Sequence, residues 1–238
     1  MSSATGTGSS ATGNARLDAI LRDALTSPYV DDDYYALLRA DLDDWRARGT
    51  PLTDAERAEY EGLVLHEAWL LDRRAFEDWY ALYARECLYW IPSVDVLATP
   101  PPVLGKLTPG SSGFTKVPPG GPDPADPRNR VAIACDDRRR LGDRIVWLRT
   151  GVAYSQLPPS STSHVCANFV RVPTARPDEA KIRSQFVVHE IRAGHTIRTL
   201  AGWAGHVFVR EDGETRIARK TVGLVDSDRT HQNLSFLL

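Results

Sequence analysis

The sequence predicts an α+β fold in which N-terminal helices pack on one face of a strongly curved, mixed or antiparallel β-sheet that closes into a cone. Three observations carry this. Apolar residues recur at helical spacing up to Tyr83, and Val, Ile, Thr and aromatic runs dominate from His164 onward. The two patterns are also segregated rather than alternating, which separates α+β from a parallel α/β sheet.

Taken in order, residues 1–15 are Ser, Thr, Gly and Ala, too poor in apolar surface to offset the entropy of ordering, and are expected to be a disordered tail. Asp31 to Arg48 reads as an amphipathic helix with Tyr34, Leu37, Leu38 and Leu42 on one side. Thr53 with Glu56 three residues on forms a capping box, opening a helix to about Leu71 lined by Tyr60, Val64, Ala68 and Leu71. Asp72 is placed to cap a further helix, DRRAFEDWYALYA, striped by Phe76, Trp79, Leu82 and Tyr83. CLYWIPSV then lacks polar alternation and reads as a strand covered on both faces.

Residues 98–129 hold most of the proline and much of the glycine, and are expected to form an insertion lying on a surface or a partner. VAIA follows as a short strand, then a helix with Asp136 as cap, Leu141, Ile145 and Leu148 inward and Gly151 as stop. HVCANFVRV, KIRSQFVVHEI, HTIRTLAGWAGHVFVRE and TRIARKTVGLVDS complete the chain as strands, with Asp212-Gly213 as a hairpin turn between the last two. The organisation is one domain over 16–238, consistent with 238 residues of which 42% are hydrophobic.

Composition excludes several functions. Twenty-nine basic against 31 acidic residues provide no basic field for nucleic acid. No segment reaches the roughly 20 apolar residues of a spanning helix, and no leader pattern opens the chain, so a soluble, cytoplasmic protein is expected. Cys87, Cys135 and Cys166 are odd in number and form no C-x-x-C, which argues against disulfides and structural zinc.

PPSSTSHVCANF, residues 158–169, is dense in reactive side chains. Ser160, Ser161 and Ser163 lack the glycines of a nucleophile elbow, so their hydroxyls are expected to satisfy backbone groups where a loop enters a strand. His164 and Cys166 face one side of that strand about 7 Å apart, but no further ligand stands at a metal-binding spacing. In the cone, Asp72 and His164 are the candidate acid/base pair of a stand-alone enzyme. Against that, capping accounts for Asp72 and a nearby carbonyl for His164. Trp79, Tyr83, Tyr89, Trp90 and Trp147 are expected as core and interface anchors.

LHEAWLLDRRAFEDWYALYARECLYWIP resembles the opening motif of the small (β) subunits of aromatic-ring-hydroxylating dioxygenases, in which E-A-x-L-L-D precedes F-x-x-W and an aromatic strand closing on Y-W-x-P. DDRRRLGDRIVWLRTG, the P-P-S-x-T-x-H turn, the strand ending at Asn168, RKTVGL and the N-L-S-x-F run from Asn233 are similar to further family motifs. Ser161 stands where family members often carry arginine, and residues 1–55 match no motif.

The resemblance implies a cone like that of nuclear transport factor 2. It also implies a non-catalytic chain that supports a large (α) subunit, typically as α3β3 with β–β contacts around the threefold axis. That large subunit would carry the Rieske [2Fe-2S] cluster and the mononuclear Fe, and the NADH-driven complex would dihydroxylate an aromatic compound in hydrocarbon catabolism. Trp79, Tyr89, Trp90, Ser160, His164, Asn168 and Asn233 become candidate subunit-contact or structural residues. The competing reading is a stand-alone dehydratase or isomerase using Asp72 and His164.

Overall fold

The computed structural model describes residues 8–27, 32–94, 97, 128, 132–151, 153–194, 197–227 and 237–238, with the backbone alone over 8–14 and at 32. Apart from Arg128, the Pro/Gly-rich segment lies outside them, as does Asn233. The elements are α1 (Gly8–Thr26), α2 (Asp32–Trp45), β1 (Thr50–Pro51), α3 (Asp54–Glu56), a π-helical turn (Arg57–Glu61), α4 (Gly62–Asp72), α5 (Phe76–Ala81) and β2 (Tyr83–Ile91). They continue with β3 (Ala134–Asp137), α6 (Arg138–Arg149), a 3₁₀ turn (Tyr154–Gln156), β4 (Ser161–Val172), β5 (Ala180–Ile191), β6 (Arg198–Glu211) and β7 (Glu214–Leu224).

The seven strands form one mixed sheet in the order β1-β4-β5-β6-β7-β2-β3. β4 to β7 are the antiparallel meander that the strand pattern predicts, whereas β2 runs parallel to β7. Asp212 and Gly213 both take positive φ, 52° and 82°, the mirror-image turn for which Asp-Gly is suited. β4 bulges between Ala167 and Val170, where Asn168 adopts φ 57°, and such bulges bend a sheet and strengthen its twist.

Helices cover both faces of this sheet, not the single face expected. α4, α5 and α6 bury Val64, Leu71, Trp79, Tyr80, Leu141 and Ile145 against the inner face. α2 lies on the outer face, where Leu38, Leu42 and Trp45 meet Leu88, Trp90, Val172, Trp203 and Val207. An amphipathic stripe states which side of a helix is buried, not which side of a sheet receives it. β2 accordingly has Tyr89 and Ile91 in the inner core and Leu88 and Trp90 in the outer one, the two-sided strand that CLYWIPSV predicts. Gly205 makes room for Trp45, since a Cβ there would stand 2.8 Å from the indole.

Three local expectations are revised. Helix α1 starts at Gly8, inside the stretch expected to be disordered, because elongation adds a hydrogen bond per residue once Ile20 and Ala24 are docked against α6. The short strand is Ala134–Asp137 rather than VAIA, set by pairing with Leu88–Ile91, so Asp137 and not Asp136 caps α6 by accepting from Arg140 N at 2.9 Å. The predicted Thr53–Glu56 capping box is present, but the helix it opens passes through the π turn before α4.

Candidate functional site

The inner face is organised by one helix. α4 presents Val64, Ala68 and Leu71 to the sheet, and Glu67 lies within that apolar stripe, 1% exposed. Its Oε1 accepts from Tyr83 Oη at 2.8 Å, Trp79 Nε1 at 3.1 Å and Lys220 Nζ at 2.9 Å, and its Oε2 faces His206 Nε2 at 2.9 Å. Burial alone would raise the Glu67 pKa, but the Lys220 ammonium and the His206 imidazole hold it well below the ordinary carboxylate range. Burial pushes His206 down, so the ring is neutral near pH 7, with its proton on the Nε2 that meets Glu67. Lys220 also donates to Leu238 O at 2.7 Å, and Tyr89 Oη donates to the same oxygen at 3.0 Å.

Five residues further along α4, Asp72 ends the helix instead of capping α5, which starts at Phe76 behind Ala75. Its carboxylate reaches β4, accepting from Thr162 Oγ1 at 2.9 Å, His164 N at 3.0 Å and His164 Nδ1 at 2.6 Å. The capping role is therefore wrong, and so is the carbonyl partner expected for His164. Residues 92 apart in sequence form a hydrogen-bonded pair, because the α4–β4 packing brings the last turn of the helix over the start of the strand. Burial lowers the His164 pKa despite the opposing Asp72 hydrogen bond, leaving a neutral ring that donates from Nδ1 and keeps a lone pair on Nε2.

Chemically this is an oriented base, but it has almost no space beside it. The enclosed cavity that His164 lines with Cys166, Ser184, His206 and Lys220 measures about 20 Å³. That is room for a water or two, far below the roughly 300 Å³ at which small-molecule pockets begin.

The serine cluster resolves into separate tasks. Ser160 is buried and donates to Glu190 Oε1 at 2.6 Å, while Glu190 also accepts from Arg198 Nε at 2.8 Å. Ser161 and Ser163 are exposed, and Thr162 serves Asp72. Trp79 and Tyr89 belong to the inner core and Trp90 to the outer one. Asn168, on the surface, donates to Gln185 Oε1 at 2.5 Å beside an outer groove of about 490 Å³ shared with Trp45, Arg183 and Trp203.

The cysteines do not converge: Cys87 is in the inner core, Cys135 packs against the outer one, and Cys166 faces the cavity. Burial pushes their thiols up to about 12, 11 and 11, which opposes thiolate ligation. Among the described residues, no three His, Cys, Asp or Glu side chains are grouped to hold a metal ion. Among the described residues the donor set does not fit a Rieske cluster, which needs two Cys and two His together.

Sequence reading missed Glu67, His206 and Lys220. The available signal was a carboxylate at the stripe position of an apolar helix, and a lysine inside the buried run of β7.

A mixed sheet curled around α4 forms the α+β cone that the sequence predicts. The family model "Ring hydroxylating beta subunit" matches residues 121–229. The small oxygenase component of a p-cumate 2,3-dioxygenase system from Pseudomonas putida is 28% identical over 76% of this chain and 87% of that protein. A benzene 1,2-dioxygenase subunit beta from the same species is 26% identical over 83% of this chain and 96% of that protein.

Among solved structures, a chain of naphthalene 1,2-dioxygenase with bound indole aligns with TM-score 0.61 at 17% identity, over 88% of this chain and all of that one. The beta subunit of benzoate 1,2-dioxygenase from Burkholderia mallei aligns with TM-score 0.53 at 18% identity, over 79% of this chain and 99% of that one. Over residues 121–229 the chain is similar to the ring-hydroxylating β-subunit family.

Proposed function

We propose that this chain is the small subunit of an aromatic-ring-hydroxylating dioxygenase and that its work is structural. It supports a large subunit that carries the Rieske [2Fe-2S] cluster and the mononuclear iron. The complex is α3β3, cytoplasmic, and supplied with electrons from NADH through partner proteins. The observation that carries the structural role is the filled cone. The oriented bases in its interior, His164 on Asp72 and His206 on Glu67, open on only about 20 Å³, so a stand-alone dehydratase or isomerase has its dyad but no place for a substrate. The names of the sequence relatives, each a small or beta component of a dioxygenase, support the choice of complex.

Co-expression with a large subunit bearing C-x-H and C-x-x-H motifs, followed by gel filtration and iron analysis, tests this. A stable complex with iron only in the large chain is expected, with an interface above roughly 2,000 Å² as in permanent assemblies. Turnover of an organic substrate by this chain alone, abolished by His164→Ala, would overturn it; under the structural reading that variant only loosens assembly or stability.

A further inference from the structure

The cavity under α4 has walls that the structural role leaves unexplained. His164 Nε2, Ser184 Oγ and His206 Nδ1 are all buried without a hydrogen-bond partner, and all three residues line the same enclosed space. His164 is 4% exposed at its side chain, His206 and Ser184 1%. Their chemistry is complementary to one class of ligand. Asp72 accepts a hydrogen bond from His164 Nδ1–H, and Glu67 one from His206 Nε2–H, so each ring turns a bare lone pair to the interior. Ser184 can offer its hydroxyl proton. Two acceptors and one donor call for a small molecule with two protons to give and a lone pair to receive. Buried polar groups in native proteins nearly always find such a partner.

We propose that this cavity is a water site, in which water donates to the imidazole lone pairs of His164 and His206 and accepts from Ser184. The volume of about 20 Å³ exceeds the 10–15 Å³ that a single water needs and admits nothing larger than a second one. The site joins the Asp72–His164 pair on β4 to the Glu67–His206–Lys220 cluster on β6 and β7, so the two sets of polar groups on α4 form one hydrogen-bonded system. It holds whether or not the chain serves a dioxygenase, since it rests on these side chains alone.

A crystal structure of the full chain at about 1.8 Å or better, with a second crystal under xenon pressure, tests the proposal. Expected is a density peak within about 3.2 Å of His164 Nε2 and of at least one of Ser184 Oγ and His206 Nδ1, with no xenon bound there. An open cavity without density, or one that fills with xenon as dry apolar cavities do, would overturn it. In solution, the ¹⁵N shift of His164 Nε2 should be that of a hydrogen-bonded acceptor and move to the free-acceptor value in Ser184→Val, whose side chain occupies the space. A free-acceptor shift in the unaltered chain would count equally against it.

Discussion

The two faces of the sheet each bury ionic groups, yet they are wired differently. On the inner face one carboxylate, Glu67, collects four donors of which only Lys220 is permanently charged. On the outer face Asp41, 1% exposed, binds two cations: Lys181 Nζ at 2.5 Å and Arg219 Nε at 2.6 Å. Each of those cations has a second carboxylate, Asp44 at 2.5 Å for Lys181 and Glu179 at 2.7 Å for Arg219. The inner cluster is therefore a single point that everything shares, whereas the outer one is a chain with a spare partner at each end. A buried charge is costly chiefly when it loses its last counter-ion, so redundancy rather than the number of bonds should decide how each face tolerates damage.

Glu67→Ala should have the largest effect. It takes from Lys220 its carboxylate side-chain partner, leaving the Leu238 main-chain oxygen and the Tyr89 ring, and strips Trp79, Tyr83 and His206 of their acceptor, for a loss of about 3–5 kcal/mol in urea unfolding. Asp41→Ala should cost less, on the order of 2 kcal/mol, because Asp44 and Glu179 remain. Equal losses, or a larger one for Asp41, would break the proposed distinction.

The smallest effect concerns acid. His164 and His206 have folded pKa values below their ordinary 6.5, so the unfolded chain binds protons first as pH falls through 6.5, and stability drops. Each contributes at most about 1.4 kcal/mol per pH unit. The described outer cluster contains no histidine; Glu179, held low by Arg219 and Arg176 against its burial, begins to lose its contribution only as pH falls through 4.5. Between pH 6.5 and 4.5 the acid limb thus belongs to the inner face. His164→Gln should flatten it in unfolding titrations, and an unchanged slope would show that the imidazole is not held neutral.

Much of the architecture is legible in the amino-acid sequence. The Thr53 capping box, the Asp212-Gly213 hairpin and the two-sided strand CLYWIPSV each depend on residues within a few positions of one another. Ser160 is expected to satisfy a backbone group at a strand entry, but its hydroxyl donates to the Glu190 carboxylate, 30 residues away. Asp72 shows where local reasoning fails. An aspartate ahead of a helical stripe is a sound cap, and nothing nearby in sequence discloses that β4 will supply two stronger donors, Thr162 and His164.

The sequence by itself determined the α+β order, the meander of the last four strands and the resemblance to dioxygenase small subunits, because periodicity, turn chemistry and ordered motifs are properties of neighbouring residues. The tertiary structure alone decided that α2 crosses to the outer face, that Asp72 turns away from α5 to hold His164, and that Glu67 gathers Lys220 and His206 from the far end of the chain. Those outcomes depend on contacts between residues far apart in the sequence. Only the curvature and register of the packed sheet specify which of them meet.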